Sequence, residues 1–100
     1  MEKIARVLRE RGILNSQRLL ILLALYLSGR LGFADLCRVT GLPKGRVWHH
    51  VQVLEEEGLV RRRHRLALVG PRLYIEITNS GEELVKELLD ALAGLRGAES

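Results

Sequence analysis

Lys44, Arg46, His49 and Gln52 sit close together in the chain, and the run Arg61-Arg62-Arg63-His64-Arg65 follows shortly after. These side chains suit binding rather than bond-making. Arginine pairs in two-pronged fashion with phosphate or with guanine O6 and N7, and glutamine does the same with adenine N6 and N7. Lys44, earliest in the group, suits a phosphate contact. Catalytic arrangements are hard to assemble from the rest. Ser16, Ser28, Ser80 and Ser100 lie outside any nucleophile-elbow setting, and Asp35 and Asp90 have no acid or base at motif spacing. No glycine loop suited to cradling phosphate is present. His49 and His50 are neighbours and would diverge by about 100° on a helix. With His64 and the single Cys37 they complete no zinc set. The sequence therefore predicts neither an enzyme nor a metal or cofactor site.

The basic cluster needs a scaffold, and the stretch Phe33 to Val60 supplies one. A first helix over about Phe33 to Thr40 puts Phe33, Leu36 and Val39 on one side. Gly41 marks a sharp turn, and Pro43 suits the start of a second helix, where its missing N–H costs nothing. In that helix, about 43–57, Val47, Val51 and Leu54 form one apolar stripe, leaving Lys44, Arg46, Trp48, His49 and Gln52 free to point outward. Gly58 ends it. Two short helices across a glycine turn, the second basic, make a helix-turn-helix candidate.

A strand pattern starts at Leu59 and runs to about Ile77. Alternation puts Arg61, Arg63 and Arg65 on one face, and Arg62 and His64 on the other. Val69-Gly70-Pro71-Arg72 reads as the hairpin tip. Leu73, Ile75 and Ile77 alternate with Arg72, Tyr74 and Glu76, as a half-buried return strand does. The apolar segment 66–69 near the tip implies either longer strands or a tip that packs on a partner.

These residues carry a resemblance. The pattern Leu42-x-x-Gly45-x-Val47-x-x-His50-Val51-x-x-Leu54-x-x-x-Gly58-Leu59-Val60 resembles the recognition helix of winged helix-turn-helix transcriptional regulators of the ArsR-like and MarR-like type. Tyr74-Ile75-Glu76-Ile77-Thr78-x-x-Gly81 resembles the return strand of their wing. The similarity runs from about Asn15 to Leu92, with one departure: Pro43 stands where the family usually has a capping Ser, Thr or Asp. The fold implied is mainly α with a β-hairpin wing, extended by extra N- and C-terminal helices. The function implied is sequence-specific binding of double-stranded DNA as a homodimeric regulator. The recognition helix would lie in the major groove, and the wing, about 59–77, on the flanking backbone or minor groove. DNA contacts are expected from Lys44, Arg46, Trp48, His49, Gln52, Arg61, Arg63 and Arg65. Trp48 would stack near DNA sugars or fill a gap against the wing, and His50 would bridge helix to neighbour or touch phosphate. The paired cysteines of metal-sensing relatives are absent. The alternative is a winged-helix module for protein contact, its arginines meeting an acidic partner or balanced by Glu55, Glu56, Glu57 and Glu76.

Composition agrees. One hundred residues make a single domain, 1–100, and 47% hydrophobic residues suffice to bury a core. A net charge of +4 suits a polyanionic partner. One cysteine, no signal-peptide pattern and an apolar run, Leu19 to Leu27, too short to span a bilayer point to a cytoplasmic, nucleoid-associated protein with no membrane partner. Any small-molecule effector is unspecified.

The outer helices suggest the homodimer. Residues 1–14 hold a helix with Ile4, Val7 and Leu8 at helical spacing, too short to stand alone. The helix from Ser16 to Ser28 is apolar nearly all round, which a second protomer would help to cover. The last helix, 79–96, capped by Thr78 or Ser80, carries the wide stripe Leu84, Val85, Leu88, Leu89 and Leu92 and frays after about Leu95.

Overall fold

The computed structural model describes residues 1–68 and 70–99. Five helices and three strands follow in the order α1 (Glu2–Glu10), α2 (Ser16–Ser28), β1 (Arg30–Gly32), α3 (Phe33–Thr40), α4 (Lys44–Glu56), β2 (Val60–Ala67), β3 (Gly70–Ile77) and α5 (Asn79–Glu99). The sheet is antiparallel, with β3 between β1 and β2.

α2 is the centre of the fold. Asn15 caps it, its side chain accepting from the Arg18 N–H at 3.0 Å. Ile21, Leu22, Ala24 and Leu25 are buried, and Leu19, Leu23 and Tyr26 pack half-buried around them. α3, α4, α5, β1 and β3 all touch this helix. The chain's own elements thus cover several sides of α2, while Leu20 and Leu27 stay exposed.

The helix-turn-helix forms as its sequence indicates. α3 ends at Gly41 in the left-handed conformation (φ 72°), a geometry glycine adopts without steric cost. α4 starts after Pro43 with no side-chain cap, as the departure at that position implies. Val39 is the exception on α3. It is exposed while Phe33 and Leu36 turn inward, because the eight-residue helix offers the core only one narrow side.

The wing differs at its tip. β2 runs to Ala67 and β3 begins at Gly70, so Pro71 pairs with Leu66 and Arg72 with Arg65. Gly70, Pro71 and Arg72 are strand rather than turn, and Val69 lies outside the described residues. The strands are thus longer than expected, yet Leu66 and Leu68 stay exposed. Leu31 belongs to β1 and pairs with Ile75, extending the hairpin to three strands at its base.

Thr78 joins wing to α5. Its hydroxyl donates to the Gly58 carbonyl at 2.7 Å and accepts from the Gly81 N–H at 3.1 Å, so Thr78 is the cap. Gly81 lies against the start of β2 so closely that an added Cβ would be 2.3 Å from the Leu59 carbonyl oxygen. α5 continues to Glu99, past the expected fraying point near Leu95. Ser100 lies outside the described residues.

Candidate nucleic-acid interface

The outward face of α4 is built by what the inward face buries. Val47, Val51 and Leu54 are fully enclosed, and His50 is buried beside them. That fixes the helix rotation, and 3.6 residues per turn then leave Lys44, Arg46, His49 and Gln52 exposed on the opposite side. Among the described residues none of these four has an ion-pair partner.

His50 anchors this rotation by a neutral ring with both nitrogens engaged. Nδ1 accepts from Arg18 Nε at 3.2 Å, and Nε2 faces the Gln17 amide oxygen at 3.2 Å. Burial holds the ring below the ordinary histidine value, and the nearby positive charge of Arg18 adds to that effect. Arg18 also donates to the Gly12 carbonyl, tying α4 to the loop before α2. At the other end of α4, Arg11 donates to the Glu57 carboxylate at 3.0 Å and to the Glu57 carbonyl at 2.7 Å. Sequence reasoning missed Arg11, Gln17 and Arg18. Asn15 signalled the start of α2, but nothing local shows that its first turn faces His50.

Trp48 is held between two elements. Its ring meets Phe33 edge-on at 5.6 Å, and the Arg62 guanidinium lies 4.9 Å from the ring centroid. Of its two anticipated roles, the structure shows the packing against the wing. Arg62 continues to Glu55 in a two-pronged contact of 2.7 and 2.9 Å, which holds the Glu55 carboxyl below the usual range.

The other face of the hairpin gathers Arg61, Arg63 and Arg65, as alternation predicts, and adds Arg72, Tyr74, Glu76 and Arg30 through the strand register. Glu76 accepts from Arg61 at 2.7 Å and from Arg63 at 3.2 Å, and its carboxyl is lowered by the Arg61 hydrogen bond first, with Arg63 contributing. Arg30 lies 5.7 Å from the Tyr74 ring centroid. Arg65 and Arg72 stand opposite each other with no ion-pair partner among the described residues. Alternation puts Arg72 on the face of Tyr74 and Glu76, and the register adds that it lies opposite Arg65.

The expected dimer residues divide. Ile4, Leu8, Leu84, Val85 and Leu88 belong to the chain's own core, because α1 lies against α5 and α5 against α2. Val7 is half-buried, and Leu89 and Leu92 are exposed together with Leu95. Cys37 is a half-buried free thiol. Among the described residues no helix is long and apolar enough to cross a membrane.

A helix-turn-helix followed by a hairpin packed on its second helix defines the winged helix-turn-helix class. Residues 14–61 match the family described as winged helix-turn-helix DNA-binding. A transcriptional regulator homologue from Pyrococcus horikoshii OT3 is similar over 100% of this chain and 99% of its own, at 29% identity and a TM-score of 0.82. MepR of S. aureus, whose structure is a complex with DNA, matches over 99% of this chain and 81% of its own, at 23% identity and a TM-score of 0.78. NadR in complex with 4-hydroxyphenylacetate matches over 99% of this chain and 74% of its own, at 26% identity and a TM-score of 0.67. No curated protein matches. The chain therefore has the winged helix-turn-helix fold, and it is similar to solved transcriptional regulators.

Proposed function

We propose that this chain, acting as one domain, works as a homodimeric, sequence-specific transcriptional regulator in the cytoplasm. One observation carries the reading: α4 buries Val47, His50, Val51 and Leu54 and presents Lys44, Arg46, His49 and Gln52 unpaired on its outer face. That face fits a major groove, with Arg46 and Gln52 reading base edges, His49 beside them, and Lys44 on phosphate. Arg65 and Arg72 then meet flanking phosphates or the minor groove, with Arg61 and Arg63 held back by Glu76 and Trp48 supporting α4 from behind. The protein-contact alternative is disfavoured because, among the described residues, this face of α4 exposes no large apolar side chain.

The dimer reading rests on α5, where Leu89, Leu92 and Leu95 form an exposed row beyond the part packed on α2. A groove between α1 and α5 is lined by Met1, Ile4, Val7 and Ala91 together with the charged Lys3, Glu87 and Asp90. A two-fold contact would cover both and set two α4 helices about 34 Å apart on an inverted repeat. Sedimentation should give twice the 11.3 kDa chain mass, and Leu92→Glu should shift it to the folded monomer and abolish tight operator binding. Leu88→Glu is the poorer probe, since Leu88 belongs to the chain's own core. A well-folded wild-type monomer at micromolar concentration would refute the dimer. Absence of duplex binding at low salt would refute the whole reading.

A further inference from the structure

The wing tip carries two features that the fold does not use. Leu66 is 89% exposed and Leu68 is fully exposed, with Pro71, the strand partner of Leu66, exposed beside them. Burying a leucine removes apolar surface from water, so two bare leucines at the end of a projecting hairpin are an uncollected stabilisation. One pair further down, on the opposite face of the hairpin, Arg65 and Arg72 stand side by side across the two strands. Like charges directly opposite on a strand pair are unfavourable. Lower down the same face, Arg61 and Arg63 share the Glu76 carboxylate, and nothing corresponding sits beside the tip pair among the described residues. A tip that is apolar on one face and basic on the other is complementary to a narrow groove walled by phosphates and floored by stacked bases.

Building on the DNA-binding reading above, we propose that the tip is a minor-groove wedge: Leu66 and Leu68 press between neighbouring base pairs and partly unstack one step. Arg65 and Arg72, side by side on the opposite face of the hairpin, neutralise phosphates on one wall of the groove. Apolar side chains that enter the minor groove kink duplexes by about 20–90°, away from the wedge and toward the major groove. This chain would therefore bend its target beside each site read by α4. Unstacking costs least at TA and CA/TG steps, so one should recur at a fixed distance from the bases read by Arg46 and Gln52.

The test uses the full chain and a duplex obtained by site selection, end-labelled for fluorescence energy transfer and carrying 2-aminopurine at successive flanking positions. Wild-type protein should shorten the end-to-end distance and raise 2-aminopurine emission at one step. The double variant Leu66→Ser, Leu68→Ser alters only exposed tip positions, and far-UV circular dichroism verifies its fold. It should lose both signals and bind up to about tenfold more weakly. Wild-type binding with a straight, stacked duplex overturns the wedge and leaves the DNA-binding reading standing. Signals that survive the double substitution also overturn it. Absence of any duplex binding overturns both. If the leucines serve a membrane instead, the double variant loses binding to phosphatidylserine vesicles while bend and emission stay intact, and the wedge falls.

Discussion

The outer face of α4 and the two strands of the wing are both basic, but they hold their charge differently. On α4, Lys44 and Arg46 face solvent without acids, kept there by a helix whose other side is locked into the core. On the wing, Arg61 and Arg63 share Glu76, and Arg62 is held by Glu55. Much of the densest cationic run in the chain is thus engaged by its own carboxylates, while Arg65 in it and Arg72 on the return strand have no ion-pair partner among the described residues. Charge density along a sequence is a poor guide to charge available to a partner. Pairing geometry decides it.

The largest effect should come from α4. Arg46→Ala or Gln52→Ala is expected to cost about 1–3 kcal/mol in operator binding and to relax preference at one base position, read by site selection with each variant. A uniform loss across all sequences would place α4 and the wing in the same class and break the comparison.

Salt titrations sharpen it next. Arg65→Ala and Arg72→Ala should each reduce the slope of log K against log salt by about 0.9. Arg61→Ala should reduce it by distinctly less, because Glu76 already occupies that guanidinium. Equal slopes for the three would mean that the Glu76 contacts open on binding. The reverse change, Glu76→Gln, should steepen the slope and tighten binding to all sequences alike, by releasing Arg61 and Arg63.

The smallest effect is a pH dependence rooted in α4. The His50 pKa is lower in the folded chain than the ordinary value near 6.5, so the unfolded chain binds the extra proton more readily. The stabilisation from neutral His50 is complete above that ordinary value and is lost as pH falls through the folded one. Thermal melts should therefore decline through this acidic range, and His50→Gln should flatten the decline. An unchanged decline in the variant would assign the titration elsewhere.

Much of this was legible in advance, for local reasons. The stripe Val47, Val51, Leu54 set the rotation of α4, glycines at 41 and 58 set its boundaries, and period-two alternation assigned the faces of the wing. What escaped was long-range. Arg18 reaches His50 and Arg11 reaches Glu57 across wide sequence gaps, with no motif linking them. The wing tip was misplaced because Gly70-Pro71 reads as a turn. Proline without its N–H is tolerated near a hairpin end, where the ladder can spare a donor. How far the chain itself covers α2 escaped as well, because a sequence does not show how many of its own elements will surround one helix.

Gly81 has a mechanical consequence. The first turn of α5 rests on the Leu59 carbonyl with no room for even a methyl group, so the helix meets the root of the wing at a tight contact. The whole helix is a rod of 21 residues, about 30 Å long, anchored near this end. Such a rod is a lever with its fulcrum beside the root of the wing. A tilt of about 5° there moves the far end by about 3 Å. Whatever grips the distal turns of α5 therefore has leverage over the angle at which the wing is held.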